Sequence, residues 1–218
     1  MFLMPTPSPF LLPSTISLAS TNTGTGGTVT MPADVATGDV IIVCHGAASA
    51  SPSKHADFTT LASAGNTNGI FTDSGGIISY RISDGTEGSQ SYAGWSGASD
   101  ASWVVSVWRP DVPASTLTPQ DTASYAGTGN PAGNTMGVSA ASAPTVAVYM
   151  IWDSGASPPA DFGTFSGDGN DPVTGSTQLS VGAIISYQHT QGAGGFDITA
   201  DIHDIGVQAS MSGYLEVT

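Results

Sequence analysis

The sequence predicts an all-β protein: one antiparallel β-sandwich domain over residues 15–218, preceded by an extended arm over residues 1–14. Short apolar runs alternate with turn-forming clusters, and the 28 glycines and 14 prolines fit this alternation of short strands and tight turns. No segment sustains apolar residues at helical spacing over ten residues. With 39% hydrophobic residues in a chain of 218, a core can form within one large sandwich domain.

The first 14 residues are predicted to be extended, because Pro5, Pro7, Pro9 and Pro13 fix φ and remove backbone donors. The segment lacks the basic start and the uninterrupted apolar core of a signal peptide. Leaving its large apolar side chains in water would cost about 1.5–3 kcal/mol each. They therefore pack on their own domain or dock on another chain, and docking is favoured because prolines pre-order an extended segment. The side chains of this predicted partner-binding arm are Phe2, Leu3, Met4, Phe10, Leu11 and Leu12.

The remainder of the chain is divided into strand-like segments by Gly, Asn, Asp and Pro clusters. The predicted strands are Thr15–Ala19, Thr28–Met31, Val40–His45, Thr59–Ala62, Ile77–Ile82, Gln90–Ala93, Trp103–Trp108, Thr145–Trp152, Leu179–Tyr187, Phe196–Ile202 and Val207–Thr218.

Two segments carry further information about the layout. Residues Trp103–Trp108 are apolar on both alternating faces, which predicts a central strand between two layers. Residues Thr116–Ala143 are rich in Gly and Pro, and we interpret them as part of a long excursion over about residues 113–143, either at the sandwich edge or as an arm that contacts neighbouring chains. No motif recurs at a fixed period, so the sequence does not predict a repeat protein.

The charge of the chain excludes several classes of partner. Seventeen acids stand against three bases, for a net charge of −14. Clustered Lys and Arg are needed to neutralise phosphates, so nucleic acid and anionic membranes are excluded as partners. No apolar stretch has the length of a membrane span. Arg81 is expected to pair with Asp84 or Glu87 in an ordinary structural salt bridge.

No catalytic constellation emerges from the residues. Cys44 is a single cysteine inside an apolar run, and His45 would point to the opposite face of a strand, so a thiol–imidazole pair is not predicted. The tetrapeptide Asp73-Ser74-Gly75-Gly76 is similar to the nucleophile segment of trypsin-like proteases. A turn between strands explains it better, because only about 29 residues separate Ser74 from His45. The sequence therefore predicts a protein that is not an enzyme.

Two weaker ligand sites can be read from the sequence. Asp168, Asn170 and Asp171 offer oxygen ligands in a turn, as a calcium loop does, but Pro172 breaks that pattern and a plain turn is favoured. Trp95 lies in a Gly/Ser-rich segment and is a candidate glycan contact, with core or subunit packing the commoner role of a large aromatic. No cofactor or metal is predicted.

The order of strands and turns over about residues 28–112 resembles the jelly-roll domains of bacteriophage virion proteins, including capsid decoration (cement), head-fibre and tail-associated proteins. The resemblance rests on an opening segment that leads into an apolar strand, followed by three further strand segments. These segments are Met31–Val43, Phe58–Ser63, Ile78–Gly88 and Val104–Arg109. It implies a jelly-roll-like sandwich with an assembly role.

On this basis we expect a structural virion protein on the capsid surface, a cement protein that binds and stabilises the phage head. The expected partners are the major capsid protein or another virion protein, together with copies of the same chain in a homotrimer. The alternative is a tail or fibre-type receptor or glycan-binding module, with an exposed aromatic platform near Trp95 or Trp152. A hydrolase of sandwich fold is a third and weaker hypothesis.

Overall fold

The structure is a computed structural model and describes Pro13 and residues 15–66, 74–97, 101–128, 134–141, 143–153, 164–167, 175–179, 182–191, 194–201 and 207–218. These residues form strands and connecting segments, with no helix among them. The strands are β1 (Ile16–Thr25), β2 (Thr28–Thr30), β3 (Val40–Ala47), β4 (Thr59–Asn66), β5 (Ser74–Ile82), β6 (Ser91–Ala93), β7 (Ala101–Pro110), β8 (Leu117–Thr128), β9 (Asn134–Ala141), β10 (Thr145–Asp153), β11 (Thr164–Gly167), β12 (Gly175–Leu179), β13 (Gly182–Gln191), β14 (Gly194–Asp201) and β15 (Val207–Val217).

Two five-stranded antiparallel sheets form the sandwich. The first sheet has the order β1-β7-β3-β5-β4, and the second has the order β12-β13-β10-β15-β8. The two sheets stack strand over strand, with β1 near β12 at one end and β4 near β8 at the other. This is the aligned form of sheet packing, in which alternate side chains of each inner face fill the space between the layers.

The core between the sheets takes the alternate residues of the central strands. From β3 it receives Val40, Ile42 and Cys44, and from β10 it receives Val148 and Trp152, all buried. Because side chains alternate along a strand, the other residues of β3 point away from this core. They are buried as well, so the first sheet is covered on both faces.

A second core lies on the outer face of the first sheet. Ile41 and Val43 of β3 pack there with Trp103 and Val105 of β7. The cover comes from the small ribbon β2-β6 and from the segments around it, which contribute Phe58 and other apolar side chains. The prediction that Trp103–Trp108 is a central strand with two apolar faces is therefore confirmed, since Val104 and Trp108 lie in the core between the sheets.

The centre of the outer face of the second sheet, on β10 and the adjoining part of β15, is also buried. Ala147 and Tyr149 of β10 and Tyr214 of β15 alternate with the residues of the inner core and are no more than 5% exposed. Strand β9 of the three-stranded sheet β11-β14-β9 lies against β15.

The predicted all-β antiparallel sandwich is confirmed, and two finer expectations need correction. The long excursion predicted over residues 113–143 is wrong, because most of that stretch forms β8 and β9. Strand β8 gives a weak strand signal in the sequence, because it contains Pro119 and few large apolar residues, and it is ordered by pairing with β15 along nearly its whole length. The chain path also differs from a jelly roll, in which two Greek keys interleave the sheets. Here every strand of the first sheet precedes every strand of the second.

A buried carboxylate closes the turn between β5 and β6. Glu87 is fully buried, and its Oε1 lies 2.7 Å from Nη2 of Arg81. The hydroxyl of Ser83 donates to Oε2 at 2.5 Å, and the backbone N–H of Gly85 donates to the same oxygen at 3.2 Å. Arg81 also approaches Asp84 at 3.7 Å, so the expected salt bridge is confirmed with Glu87 as its main partner.

We expect Glu87→Gln to lower the free energy of unfolding by about 3 kcal/mol, because it removes the nearest and the fully buried one of the three carboxylates that face Arg81. The matched control is Asp57→Asn, which removes a carboxylate 4.0 Å from the same arginine but 56% exposed. Exposed pairs are worth about 0–1 kcal/mol, so the control should change little. Urea unfolding of both variants measures the difference, and equal losses would contradict the role of burial.

Candidate functional site

Strand β1 forms one edge of the first sheet and follows the predicted arm in the sequence. Pro13 is buried, and Ile16 packs against the core between the sheets. Thr15 and Asp111 exchange two bonds: the N–H of Asp111 donates to the carbonyl of Thr15 at 3.0 Å, and the N–H of Thr15 donates to Oδ1 of Asp111 at 3.3 Å. The chain is therefore fixed to the sandwich at its outermost strand.

Among the described strands, β1 pairs only with β7. Its register shifts between Leu18 and Ser20, which marks a bulge. Leu18 is 43% exposed and is a large apolar side chain at this edge. The hydroxyl of Ser20 donates to the carbonyl of Asp34 at 2.7 Å, and the amide of Asn22 donates to the carbonyl of Thr30 at 3.0 Å. A bulge and side-chain bonds of this kind limit edge-to-edge pairing of β1 with another strand.

The arm residues predicted to bind a partner lie outside the described residues. They are Phe2, Leu3, Met4, Phe10, Leu11 and Leu12. Their place in the sequence puts them directly before buried Pro13 and edge strand β1.

Two carboxylates surround Arg109 beside this edge. Nε and Nη2 of Arg109 donate to the two carboxylate oxygens of Asp39, at 2.9 and 2.8 Å, and Nη2 also donates to Oδ1 of Asp34 at 2.9 Å. These hydrogen bonds from Arg109, to Asp39 first, raise the pKa of its guanidinium. Asp39 is 1% exposed and also accepts the N–H of Ala36 at 2.8 Å. Sequence analysis missed this cluster, although an acid directly before an apolar strand was a visible signal.

All three basic residues are engaged within the fold. Arg81 and Arg109 pair with carboxylates, and the ammonium of Lys54 donates to the carbonyl of Phe58. The basic side chains thus stabilise turns and loops of the first half of the chain. The acids outnumber them by 14, which leaves a surface that is neutral or negative.

Trp95 does not provide an exposed platform. It is only 5% exposed, and its ring stacks on His45 with centroids 5.4 Å apart. The backbone N–H of Trp95 donates to the carbonyl of Gly27 at 3.2 Å, which draws the segment after β6 over the outer face of the first sheet. The glycan contact considered for Trp95 is therefore not available in this fold, and Trp152 is fully buried too. Gly94 and Gly97 beside Trp95 adopt positive φ, 94° and 71°, so these glycines serve the backbone turns and do not mark an exposed ring.

His45 is a buried histidine for which the sequence predicts no role. It is fully buried beside Trp95, and Nε2 lies 3.4 Å from the carbonyl of Gly26. Nδ1 of His45 and Nε1 of Trp95 have no hydrogen-bond partner among the described residues. Burial lowers the pKa of His45 to about 4, with the bond to Gly26 acting in the opposite direction. The side chain is therefore neutral at pH 7.

The described residues that the sequence offered as nucleophile and base do not form a catalytic pair. Cys44 lies in the core between the sheets while His45 lies on the opposite face, as alternation predicted. Ser74-Gly75-Gly76 is predicted in a turn but begins strand β5, because it pairs with β4 through Ser74 and Gly75. Asp73 lies outside the described residues.

The candidate calcium ligands Asp168, Asn170 and Asp171 lie outside the described residues as well. Among the residues that the structure describes, no group of three or more His, Cys, Asp or Glu side chains could hold a metal ion.

No family model, no curated protein and no solved structure matches this chain. Within the described ranges, no helix has the length and apolarity needed to span a membrane.

We expect protein stability to fall as pH drops from 6.5 to about 4, in part because of His45. The unfolded chain takes up a proton on this residue near pH 6.5, whereas the folded protein does so only near pH 4. The stabilisation is complete above pH 6.5, and about 3 kcal/mol of it is lost at pH 4.

His45→Phe keeps an aromatic ring against Trp95 and removes the titration, so its free energy of unfolding should depend less steeply on pH in that window. His55→Gln, at a partly exposed histidine, is the matched control and should retain the steep slope. Urea unfolding at intervals from pH 4 to 7.5 provides the measurement. Parallel curves for the wild type and His45→Phe would contradict the assignment.

Proposed function

We propose that the protein is a structural virion protein of the capsid decoration (cement) type, which binds the phage head surface through its N-terminal arm and stabilises the shell. The observation that carries this proposal is the place at which the arm joins the sandwich domain. Buried Pro13 and partly buried Ile16, the first residue of the outermost strand, fix the chain to the first sheet. An apolar, proline-ordered segment that precedes a fixed edge strand is suited to docking in a groove or on the edge of another chain.

The electrostatics support an assembly role. The net charge is −14, and all three basic side chains are engaged in contacts within the fold. A surface without free lysine or arginine avoids nucleic acid and keeps separate particles from associating non-specifically. Specific attachment then depends on apolar contact, which the arm side chains and Leu18 at the β1 edge can supply.

The alternative, a tail or fibre-type receptor or glycan-binding module, needs an accessible aromatic platform. Trp95 and Trp152 were the candidates for that platform, and both are buried. No observation on the described residues favours this alternative over the decoration role. We further propose that the protein assembles as a homotrimer on the shell, because closed symmetric assemblies are usual for such proteins.

The arm is tested by replacing Phe2, Leu3, Met4, Phe10, Leu11 and Leu12 with serine while keeping every proline. We expect binding to empty heads of the virus that encodes the chain to weaken at least about 100-fold, since even partial burial of six large side chains exceeds about 3 kcal/mol. Co-sedimentation with the heads measures the affinity, and sedimentation equilibrium of the free protein measures the oligomeric state.

The matched control is Thr6→Ala with Ser8→Ala, which alters the same segment and leaves its apolar side chains in place. A truncation variant should remove residues 1–12 and keep Pro13, because Pro13 is buried in the domain. Equal binding of the serine variant and the control would overturn the anchoring role of the arm. Failure of the intact protein to bind the heads would overturn the decoration function itself.

A further inference from the structure

The two large sheets have the same strand order. Reading along the chain, β1, β3, β5 and β7 have counterparts in β8, β10, β13 and β15, and edge strand β4 has its counterpart in β12. The order β1-β7-β3-β5-β4 then becomes β8-β15-β10-β13-β12, which is the second sheet read from its other end. The small ribbon β2-β6 likewise corresponds to the pair β9-β14, to which β11 is added.

The hydrogen bonding of the two sheets repeats in detail. In the first sheet Val40 pairs with Trp108, and in the second Val146 pairs with Leu215. The end of each closing strand makes the same backbone bond. The N–H of Asp111 donates to the carbonyl of Thr15 at 3.0 Å, and the N–H of Thr218 donates to the carbonyl of Thr116 at 3.0 Å.

Both edge strands also begin alike. Ile16 of β1 pairs with Pro110, and Leu117 of β8 pairs with Val217, the final residue of the corresponding strand. Ile16 and Leu117 are partly buried against the same core, each from its own half. Register shifts follow a few residues later in both pairs of strands.

The sequence carries the same duplication, although no repeated motif is recognisable in it before the strands are matched. Gly75-Gly76-Ile77-Ile78-Ser79-Tyr80 of β5 returns as Gly182-Ala183-Ile184-Ile185-Ser186-Tyr187 of β13. Three shorter matches precede it in the same order, each displaced by about 105 residues. They are Thr30-Met31 with Thr135-Met136, Ala50-Ser51-Pro52 with Ala156-Ser157-Pro158, and Ala56-Asp57-Phe58 with Ala160-Asp161-Phe162.

One pairing departs from the repeat. Cys44 lies opposite Ile78 in the first sheet, and the sequence match would place Ile185 opposite Met150 in the second. Met150 instead lies opposite Ser186, a difference of one residue. The strand order is unaffected.

The stacking of the sheets has the symmetry of a dimer. Strand β1 lies near β12, and β4, the counterpart of β12, lies near β8, the counterpart of β1. In a two-fold interface, residue i contacts j and j contacts i in this way. Strands β3 and β10 are each other's counterparts and contact one another at the centre.

The centre of the interface pairs a small residue with a large one. Matching Val40 to Val146 makes Gly46 the counterpart of Trp152, and a Cβ on Gly46 would lie 2.5 Å from the Trp152 ring. A Cβ on Gly76 would lie 2.5 Å from Cε of Met150 and 2.7 Å from Cε of Met211. Near the centre, the first half provides the small residues and the second half provides the large ones.

We propose that the chain is an internal duplication, in which residues 15–111 and 116–218 are two copies of one fold packed as a pseudo-two-fold dimer. The inner face of each half is a docking surface for a second copy of that fold, and the sizes at its centre make it fit the other half rather than itself. Two first halves would leave a void where Gly46 meets Gly46, and two second halves would bring two Trp152 rings into one space. The interface is therefore satisfied within a single chain.

The test exchanges the two residues at the centre in the full-length chain. Gly46→Trp alone crowds the Trp152 ring, and Trp152→Gly alone opens a cavity, so each should lower the midpoint of thermal unfolding by about 10 °C. If the positions are equivalent across a pseudo-two-fold axis, the double variant restores the pair in reverse. Its midpoint should then recover to within about 5 °C of the wild type.

The matched control exchanges Leu61 and Gly213, which also form a small–large contact across the sandwich. A Cβ on Gly213 would lie 3.0 Å from Cγ of Leu61. These positions lie on β4 and β15, which are not counterparts, so the exchange should recover much less. A coupling at Gly46 and Trp152 no greater than at the control pair would overturn the proposal.

A second measurement covers the case in which a single variant fails to fold. A protease site inserted between Val112 and Pro113 allows the intact, folded protein to be cut between the halves. The cut protein should keep its sedimentation mass, and after denaturation the mixed halves should reassociate one to one. Separation of the halves, or pairing of either half with itself, would overturn the proposed specialised interface.

Discussion

Strand β3 is buried along its whole length on both faces, and the rest of the architecture follows from this constraint. A strand without a wet face needs a layer on each side, so the second sheet covers one face and the β2-β6 ribbon with its loops covers the other. The chemistry of its side chains is set by the same burial. Cys44 is enclosed in the core between the sheets, and His45 is held neutral against Trp95.

The few basic side chains of the chain form ion pairs and hydrogen bonds within the fold. Glu87 closes the turn after β5 through Arg81, and Asp39 joins the entry of β3 to the end of β7 through Arg109. Buried carboxylates require paired and hydrogen-bonded surroundings, and each of these has both. Because the basic residues are used in this way, the outside of the molecule lacks free positive charge, which is compatible with the proposed role in specific apolar assembly.

The duplication explains why the apolar inner faces of the two large sheets are not exposed to solvent. Each half resembles one subunit of a dimer, and the partner that its inner face requires is supplied by the same chain. External attachment is left to features outside that interface, and the proposal assigns it to the β1 edge and to the arm that precedes it in the sequence. The proposed docking by the arm and the internal pairing of the halves thus use separate parts of the chain.

The sequence by itself determined the features that depend on neighbouring residues. These include the all-β class, the two apolar faces of β7, the opposite orientation of Cys44 and His45, and the pairing of Arg81 with an acid of the following turn, Asp84 or Glu87. Alternation along a strand and short loops are local properties, so they can be read from sequence. Tertiary structure alone decided the burial of Trp95, the formation of strands within residues 116–143 and the order of the strands in each sheet. Each depends on contacts between distant segments, and the duplication emerged only after those contacts had matched the diverged strands to one another.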